Sequence, residues 1–148
     1  MNKTHIFLLA MLSFSTSLFS SEPAKKEAYI PSEVKTLVDG TFSVNATERA
    51  EAAFNLGKLG EQASKSAPFL LRMLDDNLPV WCKYNGEGTW TTPGQEASKA
   101  LAKIGKPSLD YILPLLENSH PYISMNENMK KNLAYALNKI SGIEFGDD

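Results

Sequence analysis

Apolar positions recur at helical spacing along residues 31–142, and two stretches break the recurrence. Val34, Leu37 and Val38 form a short stripe at i, i+3 and i+4 after Pro31, and Gly40 closes it. Asn45 followed by Glu48 has the arrangement of a capping box and opens a second helix. Its apolar side is Ala46, Ala50, Ala53, Phe54, Leu56 and Leu59; Gly57 is expected to interrupt it and Gly60 to end it. Ala67, Leu70, Leu71 and Leu74 predict a further helix over about 64–74. Thr92-Pro93-Gly94-Gln95 restarts the pattern, with Thr92 as N-cap and Pro93 in the first turn. Ala97, Ala100, Leu101 and Ile104 follow, up to Gly105. Pro107 opens the next helix, carrying Leu109, Ile112, Leu113 and Leu116, and Pro114 inside it should kink or split it. Ser124 and Glu127 suggest another capping box, ahead of a last helix with Met129, Leu133, Ala136, Leu137 and Ile140 and a stop at Gly142.

The breaks fall at 77–92 and 118–123. The first contains Trp81, Tyr84 and Trp90 among glycines and reads as a long ordered loop, with room for a short hairpin at Asn85-Gly86. Two placements of its aromatics are open. Exposed on a rigid loop, they would form a contact surface for a protein or a sugar. Folded back, Trp81 and Trp90 would fill a gap between helices, and the apolar run Val80-Trp81-Cys82 favours that second placement. Tyr122, in the second break, would join the cluster if both loops leave the same edge.

Residues 1–20 follow a different pattern. Lys3 precedes the apolar run at residues 6–12, and small polar residues come after it, the layout of a cleaved secretory signal. The run is too short to cross a bilayer core of about 30 Å. The expectation is therefore export, to a periplasm or outside the cell, with no membrane insertion after cleavage. Residues 21–30 read as a flexible leader, 31–142 as the folded domain and 143–148 as a tail.

An internal repeat organises the domain. Residues 52–60, 97–105 and 133–141 share a core of Leu-x-Lys-(Leu/Ile)-(Gly/Ser), with Leu56, Leu101 and Leu137 offset by 45 and then 36 residues. Helix, glycine turn and helix at this period indicate stacked helix pairs, none of which can bury its apolar face alone. The Arg49-Ala50-Glu51-Ala52-Ala53 run, the Leu56-Gly57-Lys58-Leu59-Gly60 close and the stretch from Phe69 to Asp75 resemble HEAT-like repeats of the short type also found in phycobilisome lyases. The resemblance covers about residues 31–142 and implies an all-α fold: a short right-handed α-solenoid of about two and a half HEAT-like helix pairs, with the long aromatic loop between repeats. The second copy lacks the arginine, the third lacks a second helix, and the insert at 77–92 departs from a minimal repeat. In such solenoids the second helices line the concave face, which would place Arg72, Asp75, Asp110 and Glu117 there.

Composition narrows the function. Lys plus Arg total 15 against 17 Asp plus Glu, a net charge of −2, which lacks the cationic excess of a nucleic-acid binder. The single cysteine, Cys82, cannot form an internal disulfide and reads as a buried, inert thiol. The two histidines, His5 and His120, build no metal-ligand spacing, and no phosphate loop, nucleophile elbow or calcium loop is present. The expectation is a binding module with no catalytic residue, metal or cofactor, whose partner is another protein. Its candidate contact residues are Trp81, Tyr84, Trp90, Tyr122, Arg72 and Asp110. Carbohydrate binding through the aromatic loop is an alternative. A bilin-lyase-like enzyme is a weaker one, implied only by the resemblance, and a cytoplasmic activity sits badly with a signal segment.

Overall fold

Small side chains let the helices of this protein approach closely, and the computed structural model, which describes residues 29–117 and 125–142, is built around one such helix. The element order is α1 (Ser32–Gly40), α2 (Ala46–Leu59), a 3-10 segment (Gly60–Ser66), α3 (Ala67–Arg72), β1 (Val80–Tyr84), β2 (Glu87–Thr91), α4 (Pro93–Ile104), a 3-10 turn (Lys106–Ser108), α5 (Leu109–Glu117) and α6 (Glu127–Ser141). The described chain is thus mostly helical with a small two-stranded sheet. The signal segment, the leader as far as residue 28, the second loop with Tyr122, and the tail lie outside the described residues.

Helix α4 packs against α2 on one flank and α6 on another, and α3 also lies on it. Its buried residues include Ala97, Ser98, Ala100, Leu101 and Ile104. Gly57 faces it from α2, where a Cβ would come within 3.0 Å of Ala100 Cα. So Gly57 does not interrupt α2, which runs unbroken from Ala46 to Leu59; it serves a close helix crossing instead. Gly94 has a similar role, since a Cβ there would meet Leu74 O, Asp76 O and Asn132 Nδ2 at 2.9 Å. The main core joins Leu56, Leu70, Leu74, Leu101, Ile104 and Ile112, all fully buried, to Val34 on α1 and Leu133 on α6.

Caps follow the sequence in most places. Asn45 Oδ1 accepts from Thr47 N at 2.9 Å, and Thr92 Oγ1 accepts from Gln95 N at 3.1 Å. The reciprocal half of the first capping box is absent, because Glu48 takes the Ser43 hydroxyl instead. Helix α6 is capped by Asn126, whose Oδ1 accepts from Met129 N at 2.8 Å; Ser124 of the expected box lies outside the described residues. The helix expected over 64–74 is a 3-10 segment that becomes α-helical only at Ala67–Arg72. Gly60 and Gly105, which end α2 and α4, share one unusual backbone conformation (φ 56, ψ −135 and φ 76, ψ −145), and each leads through 3-10 geometry into the next helix. Pro114 lies inside α5 without splitting it.

The stretch expected as a long ordered loop with room for a short hairpin at Asn85-Gly86 is an antiparallel hairpin through most of its length, turning at those two residues. Val80 pairs with Thr91, Trp81 with Trp90, Cys82 with Thr89, Lys83 with Gly88 and Tyr84 with Glu87. Asn85 (φ 53) and Gly86 (φ 90) form the two-residue connection, and both have the positive φ that a type I′ turn requires.

Candidate functional site: a tryptophan pair on the hairpin

Strand alternation sorts the hairpin's side chains onto two faces. Val80, Cys82 and Tyr84 turn inward against α2, where Val80 and Cys82 form a small cluster with Ala50. The Tyr84 ring stacks on Phe54 of α2, centroids 3.8 Å apart and 9° from parallel. Trp81, Lys83 and Trp90 turn outward. Trp81 is 48% exposed and Trp90 69%. This corrects the expectation that the two tryptophans fill a gap between helices: the gap beside α2 is filled by Tyr84.

The two indoles face each other across the hairpin, centroids 5.5 Å apart at 64°. They occupy directly opposed positions in the register, the placement at which cross-strand aromatic pairs interact. Gly88 sets the pose of Trp81. A Cβ at 88 would overlap the six-membered ring of Trp81, so the missing side chain makes the seat over which the indole lies. The far end of the hairpin is fixed to the helical body. Thr91 Oγ1 donates to Glu96 Oε1 at 2.6 Å, and Lys99 Nζ donates to the same oxygen at 2.8 Å. The Glu96 side chain is only 2% exposed, so these donors compensate a buried carboxylate.

Beneath the pair, the Tyr84 hydroxyl is buried with no hydrogen-bond partner of ordinary geometry. Burial pushes its pKa far above the usual tyrosine value, and the neighbouring Cys82 thiol and the charge of Glu96 push in the same direction. The phenol therefore stays protonated at any physiological pH. Cys82 is 1% exposed, which denies its thiol a path to solvent.

The other sequence candidates lie apart from one another. Arg72, exposed on α3, places its guanidinium 5.1 Å from the Phe42 ring, and Phe42 meets Phe69 edge to face. Arg72 also borders an apolar groove of about 430 Å³ with Leu71, Tyr111, Pro114 and Met129. Asp110 is exposed in the first turn of α5 and does not line that groove. Tyr122 lies outside the described residues. Of the six candidates, then, Trp81 and Trp90 form a pair, Tyr84 supports it from below, and Arg72 and Asp110 stand on other elements.

Among the described residues no group of three His, Cys, Asp or Glu side chains is placed to hold a metal ion, and no helix is long and apolar enough to cross a membrane. No family model, curated protein or solved structure matches the chain.

Proposed function

We propose that this protein is an exported binding module without catalytic chemistry, and that the outer face of the hairpin, carrying Trp81 and Trp90, docks another protein. The observation that carries this reading is the division of labour on one hairpin: Tyr84 does the packing while two larger aromatics are held rigidly in solvent. Large exposed aromatics with a fixed pose supply contact area at small entropic cost, the property that concentrates binding energy at protein interfaces. Their edge-to-face geometry at 64° gives a stepped surface rather than the flat platform on which a sugar ring stacks, and this favours a protein over a carbohydrate.

The scaffold behind the hairpin we read as a short right-handed α-solenoid of HEAT-like helix pairs, α2 with α3 and α4 with α5, closed by α6. The matched conformations of Gly60 and Gly105 and the place of α4 between α2 and α6 support that reading. The buried thiol, the permanently protonated phenol and the capped carboxylate of Glu96 support a structural role for the polar groups under the hairpin.

Affinity capture from the protein's own compartment tests the proposal. Wild-type protein should retain a specific partner that the W81A/W90A variant loses. Equal recovery by both would remove the hairpin from the interface, and recovery only of glycan would move the reading to carbohydrate.

A further inference from the structure

The layer formed by α2, α4 and α6 carries a row of lysines that the overall charge of −2 conceals. Lys58 of α2 and Lys103 of α4 converge on one ring, with their ammonium groups 5.9 and 5.2 Å from the Phe54 centroid. One helical turn from Lys103 stands Lys99, which lines a groove of about 260 Å³ between α4 and α6 together with Lys131 and Tyr135. Lys139 sits one turn further along α6, its ammonium 5.8 Å from the Tyr135 ring. At the other end, Lys83 of the hairpin shares a groove of about 200 Å³ with Lys58, and Lys83 projects from the same face of β1 as Trp81.

Cations dominate this surface. Lys58, Lys83, Lys103, Lys131 and Lys139 form no ion pair among the described residues, and Lys99 is the one member matched by a carboxylate, Glu96. The α4–α6 groove is lined by no carboxylate, and the groove beside Lys58 and Lys83 by one, Glu51. Asp75 and Asp76 lie in the turn after α3, and Asp110 and Glu117 on α5; the other acids of the layer, Glu48 and Glu127, stand in the first turns of α2 and α6, at the opposite ends of those helices from Lys58 and Lys139. Three of the row's lysines, Lys58, Lys103 and Lys139, are the invariant lysine of the internal repeat, so stacking the copies side by side is what lines their charges up. A lysine near a helix C-terminus has a local reason to be there, because it complements the helix dipole. That reason does not extend to Lys83 on a strand or to Lys131 in the second turn of α6.

We infer that this lysine row, continuous with the tryptophan pair through Lys83, receives an acidic, extended segment of the partner protein. The inference rests on the reading of the chain as a protein-binding module and names the chemistry of what it holds. Charge complementarity selects the occupant: carboxylates of an extended chain can meet the ammonium groups in turn, while the aromatic rings of Phe54 and Tyr135 between them take the chain's aliphatic stems. Helix axes about 8–10 Å apart make a three-helix layer about 20 Å wide. Roughly six residues of extended chain, at about 3.3 Å each, would cross it.

Fluorescence anisotropy with fluorescein-labelled decaglutamate on the full chain tests the inference. Wild-type protein should bind the peptide in 10 mM salt and bind it at least about tenfold more weakly in 150 mM salt, where the screening length falls to about 8 Å. K58Q/K103Q/K139Q should weaken binding in 10 mM salt by at least about tenfold. K83Q/K131Q, away from the helix C-termini, should weaken it as well if the triple variant does not fold. W81A/W90A should keep the peptide, so loss of partner capture by that variant alone bears on the hairpin and not on the row. No binding by wild type in 10 mM salt, or binding indifferent to a folded lysine variant, overturns the inference. So does tighter binding of decathymidylate or of vesicles containing anionic lipid than of decaglutamate, which would give the row to a nucleic acid or a membrane.

Discussion

Helix α4 and the hairpin adjoin in the chain and place their side chains in opposite ways. On α4 eight of the twelve residues are buried, most of them small: Pro93, Gly94, Ala97, Ser98 and Ala100, with Glu96, Leu101 and Ile104 as the large members. On the hairpin the two largest side chains of the protein stand in solvent, and the inward face uses Val80, Cys82 and Tyr84. The helical body draws its stability from close approach, which small residues permit. The hairpin is held by its register, its turn, the packing of its inward face on α2 and one buried link to α4, which leaves its tryptophans free for another molecule. Burial, and not residue size, marks which apolar groups hold the fold.

That contrast sets an order of expected effects. Leu101→Ala, in the last turn of α4 and fully buried, should lower unfolding free energy by about 2–5 kcal/mol in a denaturant titration. A loss below about 1 kcal/mol would mean that α4 is not the centre of the core. Thr91→Val cuts the link between hairpin and body and leaves buried Glu96 with Lys99 as its donor. A cost of about 1–3 kcal/mol is expected, with faster amide exchange along the hairpin. Tyr84→Phe removes a buried hydroxyl that has no partner, so at neutral pH it should be neutral or stabilising by up to about 1 kcal/mol.

The pH dependence of that last variant has a definite sign. Below the ordinary tyrosine pKa of about 10 the phenol is neutral in both the folded and the unfolded chain, and Tyr84 contributes no slope. Above it the unfolded chain loses the proton while the buried phenol keeps it, so stability falls as pH rises. Tyr84→Phe should lose that part of the fall between pH 10 and 11, read from chemical denaturation at each pH. Parallel pH profiles of the two proteins would show that the hydroxyl is not buried.

Much of the helical body was legible because period and caps agree. Leucine and alanine spacing located the helices, and Asn45 and Thr92 marked two of their starts. Gly57 misled because a glycine that ends a helix and a glycine that admits a neighbouring helix look alike until the neighbour is placed. The 3-10 entry into α3 was illegible because apolar spacing over 64–74 does not separate a 3-10 turn from an α-helical one. The hairpin held the most instructive error. Asn85-Gly86 gave the turn, and a period of two counted back from it puts Val80, Cys82 and Tyr84 on one face and Trp81 and Lys83 on the other. Reading Val80-Trp81-Cys82 as one apolar run hid that alternation and assigned the tryptophans to the core. The lysine row was half visible as the repeated Lys of the motif, but its alignment depends on α2, α4 and α6 lying side by side.

The claim that matters most is that the tryptophan pair belongs to the surface and not to the fold, and equilibrium denaturation of the W81A/W90A variant tests it most directly. The cross-strand contact between the two indoles is worth about 1 kcal/mol or less, so the double variant should unfold within about that margin of the wild type and with the same denaturant slope. A loss of 3 kcal/mol or more would contradict the account, since it would make Trp81 and Trp90 part of the protein's core.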